Sequence, residues 1–177
     1  MASFKYAGQL NGAENPVTID VIINDSKTVS VGGAVLLDAF ADGGGCEAAS
    51  AGSYVLGICV GIYQGVRPIE TLPAGSYTGT YTASTQSYAA AADNTTVDKM
   101  IAKVIVDPMA LFENDSAGDL AAADEFKCFD LVSATQIANQ NGADAAGAFQ
   151  LIKRDSDDAS YGTFRIRESE FGYAAQQ

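Results

Sequence analysis

The feature that most constrains this chain is the shortness of its apolar runs. Val17, Ile19, Val21 and Ile23 alternate with Thr18, Asp20 and Ile22, then Asn24-Asp25-Ser26 interrupts them. A period of two marks a strand with one buried face, and the Asn-Asp-Ser cluster marks a turn. The same unit recurs. Thr28–Val31 and Ala34–Leu37 are separated by Gly32-Gly33, and "SYVLGICVGIY" (53–63) is broken by Gly57 and Gly61. Glycines inside such a run imply a bend or bulge where one backbone closely approaches another. Tyr77, Gly79 and Tyr81 alternate with Ser76, Thr78 and Thr80 as an exposed strand, and "SYAAAADNTT" (87–96) reads as a loop or short helix. Further strands are expected at 99–106, Phe126–Val132, 148–154 and 161–168, with Phe164 and Ile166 facing one way and Thr163, Arg165 and Arg167 the other. Asp42–Gly45 and "NQNGADAAG" (139–147) read as loops and 115–125 as an acidic turn. Six to ten short strands at this spacing predict an all-β fold, a small β-barrel or β-sandwich.

One junction stands out within this pattern. In "KVIVDPMALFEND" (103–115), Asp107-Pro108 halts a β-branched strand. Proline lacks an N–H and holds the residue before it in extended geometry, so the strand must end there. Asp107 is expected to accept from a nearby backbone N–H in the turn, and Phe112 to return to the core.

The chain divides into an N-terminal arm, 1–16, and a single β-rich domain, 17–177, with 71–98 as an insert or outward loop. Phe4, Tyr6 and Leu10 are the large side chains of the arm. It is either a frayed terminus or an extended strand that docks on a neighbour.

Charge narrows the partners. The formal net charge is −12 and the pI is near 4.1. Nucleic acid and anionic membranes both require clustered Lys and Arg, so neither is expected. The acidity serves solubility or a basic partner face. Against it, Lys153, Arg154, Arg165 and Arg167 are four of the ten basic residues and fall in the last hairpin. They pair with Asp155, Asp157, Asp158 and Glu168, or they form a basic stripe that orients the protein on a negatively charged surface.

The vocabulary for catalysis is thin. With no histidine, Ser-His-Asp and Cys-His arrangements within the chain are excluded. Zinc sites lose their usual nitrogen ligand, and no C-x-x-C is present. The P-loop and G-x-S-x-G patterns are missing, and Gly43–Gly45 lacks the dinucleotide spacing. "DSDDAS" (155–160) begins like a calcium loop, but Ser160 replaces the sixth-position glycine and Ile166 the twelfth-position glutamate. A glycosidase needs only two carboxylates, yet nothing singles out a pair among 22 acids. No enzyme, metal or cofactor is expected. Cys46, Cys59 and Cys128 are odd in number and widely spaced, which implies free thiols of a reducing cytosol. The opening residues carry no signal-peptide pattern, and Tyr54–Tyr63 is far short of the roughly 20 residues of a membrane helix.

Taken together, "VSVGGAVLLDAF" (29–40), "GSYVLGICVGI" (52–62) and "KVIVDPMALFEND" (103–115) resemble the capsid decoration, or cement, proteins of tailed bacteriophages. The later "GDLAAAD" (118–124) and "FRIRESEF" (164–171) extend the likeness, which covers roughly 17–70 and 99–171. Residues 71–98 match nothing in that pattern. The resemblance implies a β-tulip-like domain and a non-enzymatic virion protein, made in the host cytoplasm and bound to the outside of the bacteriophage head. It implies the major capsid protein as partner, a homo-oligomer with a trimer favoured, and no cofactor. Phe4, Tyr6, Leu10, Arg165 and Arg167 are the contact candidates. The alternatives are another phage structural subunit (head fibre, tail tube or minor capsid) or a carbohydrate-binding β-barrel using Tyr77, Tyr81 and Tyr88.

Overall fold

A short strand cannot satisfy its own backbone, so each run must find a neighbour to accept and donate its hydrogen bonds. The structure, a computed structural model, describes residues 3–38, 45–138 and 147–167. In chain order the strands are β1 (Lys5–Gln9), β2 (Thr18–Ile22), β3 (Thr28–Ser30), β4 (Ala34–Leu37) and β5 (Cys46–Ala48). Next come β6 (Gly57–Gln64), β7 (Arg67–Pro68), β8 (Thr80–Thr82), β9 (Ser87–Ala89) and β10 (Met100–Ile105). The last are β11 (Ala110–Asp115), β12 (Cys128–Phe129), β13 (Leu131–Ser133), β14 (Gln136–Ile137), β15 (Phe149–Arg154) and β16 (Tyr161–Ile166). The chain is all-β, with only single turns of 3₁₀ helix at Ile69–Thr71 and Ala122–Asp124 among the described residues.

Three antiparallel sheets are layered. The middle one has the order β2-β10-β6-β4-β5, with β7 folded back on β6. Below it lies a five-stranded sheet, β1-β11-β16-β15-β12, and above it β3-β9-β8. The alternation in the middle strands explains why two cores form. Ala34, Ile58 and Ile105 join Phe112, Phe129, Phe149, Phe164 and Ile166 of the five-stranded sheet. Val35, Cys59, Met100, Ala102 and Val104 point the other way, against Val29 and Tyr88. Period two thus sends successive residues of one sheet to opposite faces.

Glycine lets the middle sheet close up. A Cβ on Gly57 would lie 2.0 Å from the Ile105 carbonyl oxygen, so no other residue permits that approach of β6 to β10. A bulge follows between Lys103 and Val104, opposite Gly61 and Cys59. The close approach anticipated from Gly57 is therefore what shapes this sheet.

Several expectations are revised. The N-terminal segment is a strand of the chain's own sheet: β1 pairs with β11, Lys5 opposite Glu113 and Tyr6 opposite Phe112. Phe4 is buried beneath it, stacked on Phe149 with ring centroids 4.8 Å apart and edge-on to Phe112. A ring of this size gains more inside its own core than on a solvated arm. Residues 71–98 are not an outward loop either, because β8 and β9 complete the third layer and Tyr88 is fully buried. Ser87–Ala89 forms a strand where a loop or helix is expected, and β5 and β11 are strands in stretches given no element from sequence. Residues 42–44, 139–146 and 168–171, which carry two of the expected loops, Glu168 and the end of the last strand, lie outside the described residues.

Candidate interaction surface

Most acidic side chains that invite a catalytic reading are committed to the backbone. Asp107 accepts from the Met109 N–H at 2.9 Å, closing the turn after β10 as its position before proline implies. Its second oxygen accepts from the Gln9 amide at 2.6 Å and from the Val17 N–H at 3.2 Å, so it also clips the end of β1 to the start of β2. In the β15–β16 turn, Asp155 accepts from the N–H groups of Asp157 and Asp158, and Asp158 accepts from the N–H and hydroxyl of Ser160. No group of three potential metal-ligating acids or thiols gathers among the described residues.

Asp98 and Asn94 form a buried polar knot under the third layer. Asp98 accepts from the Tyr88 hydroxyl at 2.7 Å, the Thr78 N–H and hydroxyl, and the Gly79 N–H at 3.1 Å. Burial alone would raise its pKa, but these donors outweigh burial and hold the carboxyl below the usual range. Tyr88 is pushed up, first by burial and then by its bond to that carboxylate. Asn94 donates to the Ile23 carbonyl at 2.5 Å and accepts from the Met100 N–H at 3.2 Å, joining the ends of β2 and β10. This knot fastens residues 77–98 to the body, which a sequence scan for periodicity does not see.

It also removes Tyr88 from the surface on which an aromatic platform was considered from sequence. Tyr88 has no exposed face, Tyr77 meets it edge-on at 5.8 Å, and Tyr77 and Tyr81 both pack on the same core. Among the contact candidates at the N-terminus, Phe4 is internal, while Tyr6 (37% exposed) and Leu10 (46%) remain on the surface at the β1 edge.

The outer face of the five-stranded sheet is where the remaining candidates meet. Phe112, Phe164 and Ile166 turn inward, so Glu113, Thr163, Arg165 and Arg167 turn outward, as the alternation in β16 requires. Pairing aligns Lys5, Glu113, Thr163 and Lys153 in one row across four strands, and Cys128, Gln150 and Arg165 in another. The face is divided by charge. Strands β12, β15 and β16 contain no Asp or Glu and turn Lys153 and Arg165 outward, with Arg167 just beyond, while Arg154, opposite the inward Gly162, donates to the Leu120 carbonyl at 3.5 Å. Strand β11 beside them brings Glu113 and Asp115.

Arg165 is not tied up by the described acids of its hairpin. Its Nε donates to Gln150 Oε1 at 2.8 Å, and Arg167 donates to the Gly147 carbonyl at 3.0 Å. The Gln150 amide in turn donates to the Phe126 carbonyl at 2.9 Å. At the acidic border, a polar groove of about 280 Å³ runs between Glu113, Lys153, Asp155 and Tyr161. There the Tyr161 hydroxyl donates to Glu113 at 3.1 Å, and burial followed by that bond pushes the phenol up to about 12. Of the cysteines, Cys46 and Cys59 are buried and pushed up to about 12, chiefly by burial, while Cys128 is half-buried on the outer face.

Comparison with protein-family models, with curated proteins and with solved structures finds no match to this chain.

Proposed function

We propose that this chain is a structural, non-enzymatic protein of a tailed-phage head, which docks on the outside of the shell and holds neighbouring major-capsid subunits together. The observation that carries the reading is the part of the outer sheet face formed by strands without Asp or Glu, with Lys153, Arg165 and Arg167 on it, in a chain of net charge −12. A basic stripe on an acidic body orients docking onto a negatively charged protein surface, while the overall charge opposes nucleic acid and anionic lipid. Three stacked β-layers with two packed cores suit a rigid clamp better than a pocket. Assembly as a homo-oligomer, a trimer in this reading, would multiply weak contacts.

The test uses empty shells assembled from a major capsid protein encoded in the same genome. The wild-type protein is expected to co-sediment with them, and Arg165→Glu with Arg167→Glu to abolish binding or make it steeply salt-sensitive. Binding by the double variant that equals wild type across salt removes these arginines from the contact. Failure of the wild-type chain to bind shells at any salt removes the reading.

A further inference from the structure

Phe126 breaks a local rule. Glu125 has φ −56° and ψ 135°, Phe126 has φ +68°, and the Lys127 N–H donates to the Asp124 carbonyl at 3.0 Å. That is a type II turn with phenylalanine at the corner that glycine or asparagine normally takes. A bulky side chain in the left-handed region is strained. The usual compensation, burial of the ring, is missing, because Phe126 is 67% exposed. Both its backbone groups are nevertheless clamped. Its N–H donates to the Leu151 carbonyl at 2.7 Å, and its carbonyl accepts from Gln150. Gln150 is the same side chain whose other end holds Arg165, so one amide fixes both an exposed aromatic and an outward arginine.

We infer that Phe126 is the apolar anchor of the docking face, and that Gln150 presets Phe126 and Arg165 as a two-residue hot spot. The occupant is a shell subunit offering a shallow apolar pocket rimmed by Asp or Glu. Aromatic and arginine anchors dominate protein interfaces, and fixing them before contact lowers the ordering cost of binding. Charge complementarity with Lys153 and Arg165 of the adjoining strands selects this occupant; the acids that precede the ring are already engaged, Asp124 by Lys127 and the Ala121 N–H, and Glu125 by the Arg154 N–H. A second copy of the chain is the competing occupant. The inference rests on the shell reading for the partner's identity, though its geometry does not.

The decisive variant is Phe126→Gly, which suits a φ of +68° and removes the ring. A purely structural role would make this change neutral or stabilising. The expected result is an unchanged or raised Tm together with shell affinity weakened about thirtyfold or more, the scale of a hot-spot residue. Phe126→Tyr is expected to bind like wild type, and Gln150→Ala, which keeps both anchor residues but releases their hold, to weaken binding. Wild-type binding retained by Phe126→Gly overturns the inference and leaves the shell reading standing. Loss of self-association by Phe126→Gly in sedimentation, with shell binding intact, assigns the ring to a second copy and also overturns it. No shell binding by wild type overturns both.

Discussion

Replacing Phe4 by alanine separates a strand that belongs to its own fold from an arm that belongs to a neighbour. Phe4 is 4% exposed, stacks on Phe149 at 4.8 Å, and meets Phe112 edge-on at 6.4 Å. Both partners are fully buried between two sheets, which limits how far the site can collapse. Truncating a buried phenylalanine in such surroundings costs about 3–5 kcal/mol, the transfer energy plus the cavity. For a chain of this length each kcal/mol lowers Tm by about 2–4 °C, so the loss should be about 6–20 °C. Leu10→Ala is the control: the side chain is 46% exposed, and its loss should cost at most about 1 kcal/mol. Differential scanning calorimetry on the isolated chain, with denaturant titration for the free energy, measures both. A Phe4→Ala variant as stable as wild type but weaker on shells would refute the reasoning and return the segment to a trans-acting arm. The same logic changes what a truncation means. Removing residues 1–12 deletes β1 and Phe4 together, so it should damage the fold itself.

Two further outcomes follow from the polar knot and the thiols. Asp98→Asn should be less stable than wild type by about 1–3 kcal/mol at neutral pH, because Tyr88, Thr78 and Gly79 lose a charged acceptor. The folded carboxyl sits below its ordinary value, so its contribution is complete above the unfolded value of about 3.9 and is lost as pH falls through the folded one. Denaturant titrations should therefore show the gap between variant and wild type closing in acid; a gap independent of pH would count against the network. With a thiol reagent at about pH 8, Cys128 should react first, while Cys46 and Cys59 wait for denaturant because burial keeps them protonated and inaccessible. Rapid native labelling of all three would contradict the buried placement.

How much of this was legible in the residues varies by position. The alternation of Phe164 and Ile166 with Arg165 and Arg167 read directly, because a strand face is a local property of period two. The role of Asp107 was also readable, since the proline beside it dictates a turn. The placement of 71–98 was not. Tyr88 and Asp98 are ten residues apart in a stretch of small and polar side chains, and their bond becomes visible only once β9 is laid beside β3. Phe126 was hidden for a related reason: its sequence neighbours suit a strand, and its left-handed corner is imposed by bonds to Leu151 and Gln150, about 25 residues away.

By itself, then, the sequence determined an all-β chain, the positions of most strands, the faces of the last hairpin and the poverty of catalytic groups. Those follow from backbone geometry and side-chain chemistry within a few residues. Tertiary structure alone decided that Phe4 faces inward, that β8 and β9 of 71–98 form a layer, and that the last hairpin, β15 and β16, lies beside β11 with Lys153 and Arg165 turned outward. The physical reason is sheet pairing: it joins segments across the whole chain, and a strand's own residues state its period but not its partner.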